Sequence, residues 1–205
     1  MPHTSPHRSI FMKRSAIKPV LASLFAALVA AGAVFSLPLP PPLPPVTLAV
    51  FFALLAGLVL GPAWGGASLG LYLLLGSIGL PVFANGSGGF GHFASPTGGF
   101  LLGYAAAAIT AGLIADRRGW TLPRALAGSL LGVAVLYAIG LPWFRAILDA
   151  RPDRDLNLWG AFLIMAPYLI GDIVKAFAAA SLVRTLRPLL VNYLPATSMN
   201  RDARA

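Results

Sequence analysis

The chain has 205 residues, 58% of them hydrophobic and only 10% charged, where soluble domains carry roughly 25% charged residues. With a mean hydropathy of +0.80, this composition excludes an ordinary soluble enzyme and predicts an integral membrane protein of one compact bundle. The net charge is +9, but the basic residues flank apolar segments, a topology pattern and not a nucleic-acid-binding face; with no cysteine, disulfides and thiolate metal sites are excluded.

Residues 1–17 are polar, basic and free of acidic groups, and are expected to form a cytoplasmic tail. The apolar segment that follows is too long for a signal-peptide core, so it is read as an uncleaved first helix over about 19–37. It carries Ala22, Ala26 and Ala30 at four-residue spacing, with Ala27 and Ala31 beside them, a stripe that would let another helix approach closely. The tract PLPPPLPP (38–45) reads as a rigid polyproline connection at the surface. Helices two (about 46–61) and three (about 65–79) contain Gly57/Gly61 and Gly66/Gly70, spaced for close packing. Helix four is expected over 99–115, ending in the charged turn DRRGW, and helix five over 122–144. A hydrophilic loop (145–157) leads into helix six over 158–186. The prediction is thus an all-α bundle of six transmembrane helices spanning 18–190, with a C-terminal tail at 191–205.

If both termini are cytoplasmic, eleven basic residues fall on the inner side. The outer segments hold only Arg145, Arg151 and Arg154, offset by Asp149, Asp153 and Asp155. The positive-inside rule therefore favours both termini inside. It also places the stretch 79–98 on the outer face. That stretch, GLPVFANGSGGFGHFASPTGGFLLGY as far as Tyr104, contains eight glycines and the prolines Pro81 and Pro96. It cannot be regular helix, and irregular backbone at membrane depth must be buried in protein or line a cavity.

Apart from the basic residues already counted at span ends, only Asp172 and Lys175 place charge inside a predicted span, three residues apart on one helix face. A charge in the bilayer costs at least about 2.5 kcal/mol, so such residues normally face a bundle interior and mark a site. A purely structural ion pair is the competing reading. Lys175 suits a carboxylate and Asp172 suits N–H donors. Asn85, Ser87, Thr97 and the amides near Gly98 and Gly99 supply further polar groups. Phe83, Phe90, Phe93, Phe100, Tyr104 and Trp143 are candidates to wall an apolar part of the ligand. Gly86, Gly88 and Gly91 satisfy G-x-G-x-x-G but lie between membrane spans, so a dinucleotide site is rejected. His92 has no partners for a metal site.

The run from Gly79 to Tyr104 resembles the signature of the BioY family, the biotin-binding S components of energy-coupling factor (ECF) transporters. A second block, PYLIGDIVKA (167–176), resembles that family's PFxPGDxxKA. PLPPVTL (42–48) and LLAGLVLGP (54–62) also fit. The resemblance implies a multi-pass protein of the bacterial cytoplasmic membrane. It would capture biotin from outside and deliver it with a transmembrane coupling subunit and ATPase subunits. It also implies that Asp172 and Lys175 contact the ligand, that Ser87 and Asn85 hydrogen-bond its ring system, and that Thr97, Gly98, Gly99 and Phe100 close over it. By the same resemblance, the Ala22/Ala26/Ala30 stripe docks the coupling subunit. No cofactor is implied.

Three positions depart from the pattern: Ser95 stands where Gly is usual, Ile170 where Pro is common, and Ala49 where Gln would stand. A carrier for another small vitamin, a membrane enzyme using Asp172 and Lys175, and a structural subunit are the alternatives. There is no G-x-x-x-x-G-K-[ST] motif, so any use of ATP belongs to partners.

Overall fold

A computed structural model describes residues 6–40, 43–116, 121–149 and 157–190. The expected C-terminal tail (191–205), most of the DRRGW turn and most of the 145–157 loop lie outside the described residues. Five helices are present among them: α1 (Pro6–Val34), α2 (Ala49–Ser77), α3 (Gly98–Asp116), α4 (Leu122–Asp149) and α5 (Leu158–Leu190). Each contains a stretch long and apolar enough to cross a membrane. α1 reaches back through Pro19 into the basic segment that was expected to be only a tail. α4 continues past the expected end at Phe144, with Arg145 and Asp149 paired at 3.6 Å on its last turn.

The six expected helices become five because helices two and three are arms of one element, α2. The arms meet at Gly61, whose φ of 79° and ψ of 176° are open only to glycine; Pro62 follows and has no N–H to continue the ladder. In a straight helix Val50 and Tyr72 would stand about 33 Å apart. Both instead line one cavity, so α2 doubles back on itself. Glycines make the fold-back possible. A Cβ on Gly65 would lie 2.8 Å from the Gly57 Cα, and one on Gly112 of α3 would lie 2.6 Å from the Pro62 nitrogen. Gly57 also abuts the Ala108 backbone and Gly66 abuts Ile109, whereas Gly70 faces open space. The small-residue spacing in α2 thus marks real helix crossings at every position but the last.

α3 packs between α2 and α4, and α5 rests on α4 and α2. Tyr72, Phe83, Phe144, Leu54, Leu69 and Leu136 are the bulkiest wholly buried side chains among those described. Two connections cap the bundle. The proline tract between α1 and α2 is closed at its base by an antiparallel bridge, Leu37 with Val46 (N to O 2.9 and 3.0 Å). The glycine-rich segment between α2 and α3 forms two short 3₁₀ turns, Ala84–Gly86 and Phe90–Ala94.

Candidate functional site

A partly open cavity of about 280 Å³ lies between these two connections and the helices, with lining residues from all five. It is near the lower end of the roughly 300–1,000 Å³ usual for small-molecule sites. Its wall is mostly apolar, and its charged group is the α5 pair. Lys175 Nζ donates to Asp172 Oδ1 at 2.7 Å, and the Tyr137 hydroxyl donates to Asp172 Oδ2 at 2.9 Å. Asp172 is 6% exposed. Both its oxygens are therefore engaged, as a buried carboxylate requires. The three-residue spacing brings acid and base to one face of α5. Gly171 beside them has open space where a side chain would stand, so a ligand can approach the α5 backbone there.

Tyr137 was not legible as a site residue, although a tyrosine hydroxyl in the middle of an apolar span usually finds a partner. Its ring is held edge-on by Phe100, centroids 5.6 Å apart and planes at 82°. Phe100 in turn fills the slot left by Gly140. Thr47, Tyr72, Tyr168 and His92 are further polar side chains of the cavity that the sequence reading missed.

Of the expected site residues, Asp172, Lys175, Thr97 and Phe100 line the cavity, as does Tyr104 from the aromatic set. Asn85, Ser87, Gly98 and Gly99 do not. Gly98 and Gly99 are buried where a side chain would strike the Phe93 backbone and Trp143, so both positions need glycine for close packing. Ser87 donates to the Ala84 carbonyl at 2.8 Å and meets His92 Nδ1 at 3.3 Å. Phe83 is wholly buried under the loop against Tyr72 and Phe93. Phe90 is 77% exposed, and Trp143 donates to the Ser95 carbonyl at 3.3 Å. Of the departures from the family pattern, Ala49 is buried and Ile170 is exposed on α5, so neither touches the cavity.

The proline tract is more than a surface connection. Leu39, Leu43, Pro44 and Pro45 form one wall of the cavity, and the Tyr168 hydroxyl donates to the Pro44 carbonyl at 2.6 Å. Asn85, at a φ of 58°, joins this side to the glycine loop. The Ser36 hydroxyl donates to Asn85 Oδ1 at 2.8 Å, and the Asn85 amide donates back to Ser36 Oγ at 3.1 Å. Ser36→Ala removes both bonds, worth about 1 kcal/mol each. It is expected to speed amide exchange over 84–87 at least about fivefold, read by hydrogen–deuterium exchange; unchanged protection would mean the clasp does not hold the loop.

The alanine stripe needs correction. Ala22 and Ala26 are buried in the chain's own core and Ala30 is partly buried against it, so that face of α1 is already occupied. Among the described side chains of α1, the small residues left exposed are Ser23, Ala27 and Ala31.

The BioY family model matches residues 6–192. A biotin transporter BioY of Rhodobacter capsulatus is 40% identical over 175 residues, covering 81% of this chain and 90% of that protein. One from Thermotoga maritima is 41% identical over 176 residues, covering 84% and 96%. The fold is similar to the crystal structure of the S-component for biotin from an ECF-type ABC transporter. That match has a TM-score of 0.69 at 21% identity and covers 89% of this chain and 98% of the other. With a family match over nearly its whole length, and relatives this similar end to end, the chain belongs to the BioY family.

Proposed function

We propose that this chain is the biotin-capturing membrane subunit of an ECF transporter. It binds the vitamin at the outer face of the cytoplasmic membrane and hands it on with coupling and ATPase subunits. It is a transport protein subunit and not an enzyme. The observation that carries the reading is the Lys175–Asp172–Tyr137 cluster on the wall of a mostly apolar cavity, in a chain 40% identical to proteins named biotin transporters. Biotin combines an apolar sulfur ring and aliphatic chain with a ureido group and a carboxylate. The cavity offers apolar walls and a cation at one end, with hydroxyls and an imidazole around them.

The fold-back of α2 supports six crossings with both termini on the cytoplasmic side, since each arm of α2 then counts as one pass. The glycine and proline connections would then close the cavity from the outside. Ala27 and Ala31, exposed on α1, are the small residues available for a coupling subunit, in place of Ala22, Ala26 and Ala30. The exposed Leu163, Ile170 and Val174 of α5 would face lipid.

Calorimetry of the purified chain with biotin, thiamine and riboflavin is the direct test. Saturable one-to-one binding of biotin alone is expected. Preference for another vitamin would leave the transport class standing and overturn the substrate. Uptake of labelled biotin by cells expressing the chain with and without coupling subunits then tests the need for partners.

A further inference from the structure

His92 has no role in the reading above, and its ring sits inside the glycine loop on the cavity wall. It stacks at a tilt on Phe83, centroids 5.2 Å apart. Each ring nitrogen meets one hydroxyl: Nδ1 lies 3.3 Å from Ser87 Oγ and Nε2 lies 3.4 Å from Thr97 Oγ1. Thr97 Oγ1 in turn lies 3.0 Å from Ser95 Oγ.

The direction of this chain follows from proton counting. Ser87 has one hydroxyl proton, and it goes to the Ala84 carbonyl at 2.8 Å. Toward His92 its oxygen can then only accept, so Nδ1 carries the ring proton. A neutral ring protonated on Nδ1 leaves Nε2 as an acceptor, and Thr97 must donate to it. Thr97 has then spent its proton, so Ser95 donates to Thr97. The order is Ser95 to Thr97 to His92 to Ser87 to Ala84. Ser95, a departure from the family's usual glycine, is what starts it.

We propose that His92 is a positioning residue that fixes Thr97 as a hydrogen-bond acceptor facing the cavity, selecting a ligand that presents a ring N–H at that end. The proposal rests on the biotin reading and deepens it, because a ureido group offers such N–H donors. A ligand with only a carbonyl or ether at this position would find no donor in Thr97. Protonated His92 would have a proton on Nε2 as well. Thr97 would then have to accept from the ring, and its own proton, no longer fixed by His92, would be free to turn outward against the ligand N–H or back to Ser95. Burial already lowers the His92 pKa below the usual histidine value. A ligand that requires neutral His92 lowers its pKa further, so affinity is full above the already lowered pKa of the empty protein, falls as the pH drops through it, and levels off below the pKa of the complex. The other titratable or charged groups around the cavity are Tyr72 on α2, Tyr104 on α3, Tyr137 on α4, and Tyr168, Asp172 and Lys175 on α5.

The test measures biotin affinity by calorimetry between pH 5 and 8 for the whole chain and for His92→Gln and Thr97→Val. The wild type should lose affinity at least threefold from pH 7.5 to 5.5. His92→Gln, which cannot titrate, should lose that pH step, and Thr97→Val should bind about tenfold more weakly at pH 7.5 with its melting temperature little changed. A biotin analogue alkylated on the ureido nitrogens should bind the wild type at least tenfold more weakly than biotin and lose less in Thr97→Val. An identical pH profile in wild type and His92→Gln overturns the proposal, as does wild-type affinity in Thr97→Val. Nitrogen-15 NMR of the ring, assigned by its loss in His92→Gln, needs no ligand. It should find the Nδ1–H tautomer in the empty protein, and the Nε2–H tautomer would overturn the proposal even if biotin binds. Should the wild type not bind biotin at all, the transport reading fails and the tautomer alone decides the case of His92.

Discussion

Lys175→Ala is expected to lower biotin affinity by more than about a hundredfold, equivalent to roughly 2.7 kcal/mol. The cation is partly shielded, its side chain 17% exposed, and Lys175 is held by Asp172. At such low exposure a lysine–carboxylate contact is stronger than at a surface. The single substitution also strands Asp172, and breaking a buried pair costs about 3–5 kcal/mol of stability. Loss of binding in Lys175→Ala would therefore be ambiguous between ligand contact and unfolding. The paired change Asp172→Asn with Lys175→Met separates the two, because it removes both charges and leaves no orphan. That variant is expected to recover most of the thermal stability and none of the affinity. Normal biotin binding by the paired variant would reduce the cluster to a structural ion pair.

Gly57→Val and Gly112→Val should each destabilise the protein severely, by roughly 3 kcal/mol or more, since forced overpacking of a close crossing typically costs about 1–3 kcal/mol and here the obstacle is backbone. A Cβ at Gly57 would run into the Ala108 carbonyl, and one at Gly112 would lie 2.8 Å from the Gly57 carbonyl oxygen. Neither neighbour can turn aside as a side chain would. Gly70→Ala is the control. Nothing stands within 4 Å of that position, and a helical Gly→Ala change there should be neutral or stabilising by up to about 1 kcal/mol. Thermal unfolding in detergent, followed by loss of monodisperse protein, reads all three. Equal stability of Gly57→Val and Gly70→Ala would mean that α2 and α3 do not cross this closely at Gly57.

Much of the site could be read from residue type alone. Asp172 and Lys175 stood out because charge in an apolar span is costly wherever the span packs. Thr97 and Phe100 were found through the motif around them. Other residues misled for one reason: a motif marks positions that matter without saying how. Gly98 and Gly99 matter because Phe93 and Trp143 lie against them. Asn85 matters because Ser36, far back in the chain, reaches it. Tyr137, Thr47, Tyr72, Tyr168 and the proline tract were missed because they sit in segments whose local pattern is merely apolar or turn-forming. Their inward direction depends on which helix each faces.

Residence in a membrane, the apolar spans and the buried acid–base pair follow from the order of residues, because each rests on the cost of placing a group in hydrocarbon, a property local to that group. The Gly61–Pro62 break was likewise written in two adjacent residues. That this break folds α2 onto itself was decided only in three dimensions, by arms close enough that a side chain at Gly65 would strike the Gly57 backbone. So was the choice of which alanines of α1 remain exposed. The proposed direction of the Ser95–Thr97–His92–Ser87 chain likewise depends on tertiary structure, since it follows from where the Ser87 proton goes, and the Ala84 carbonyl takes it only once the loop has turned.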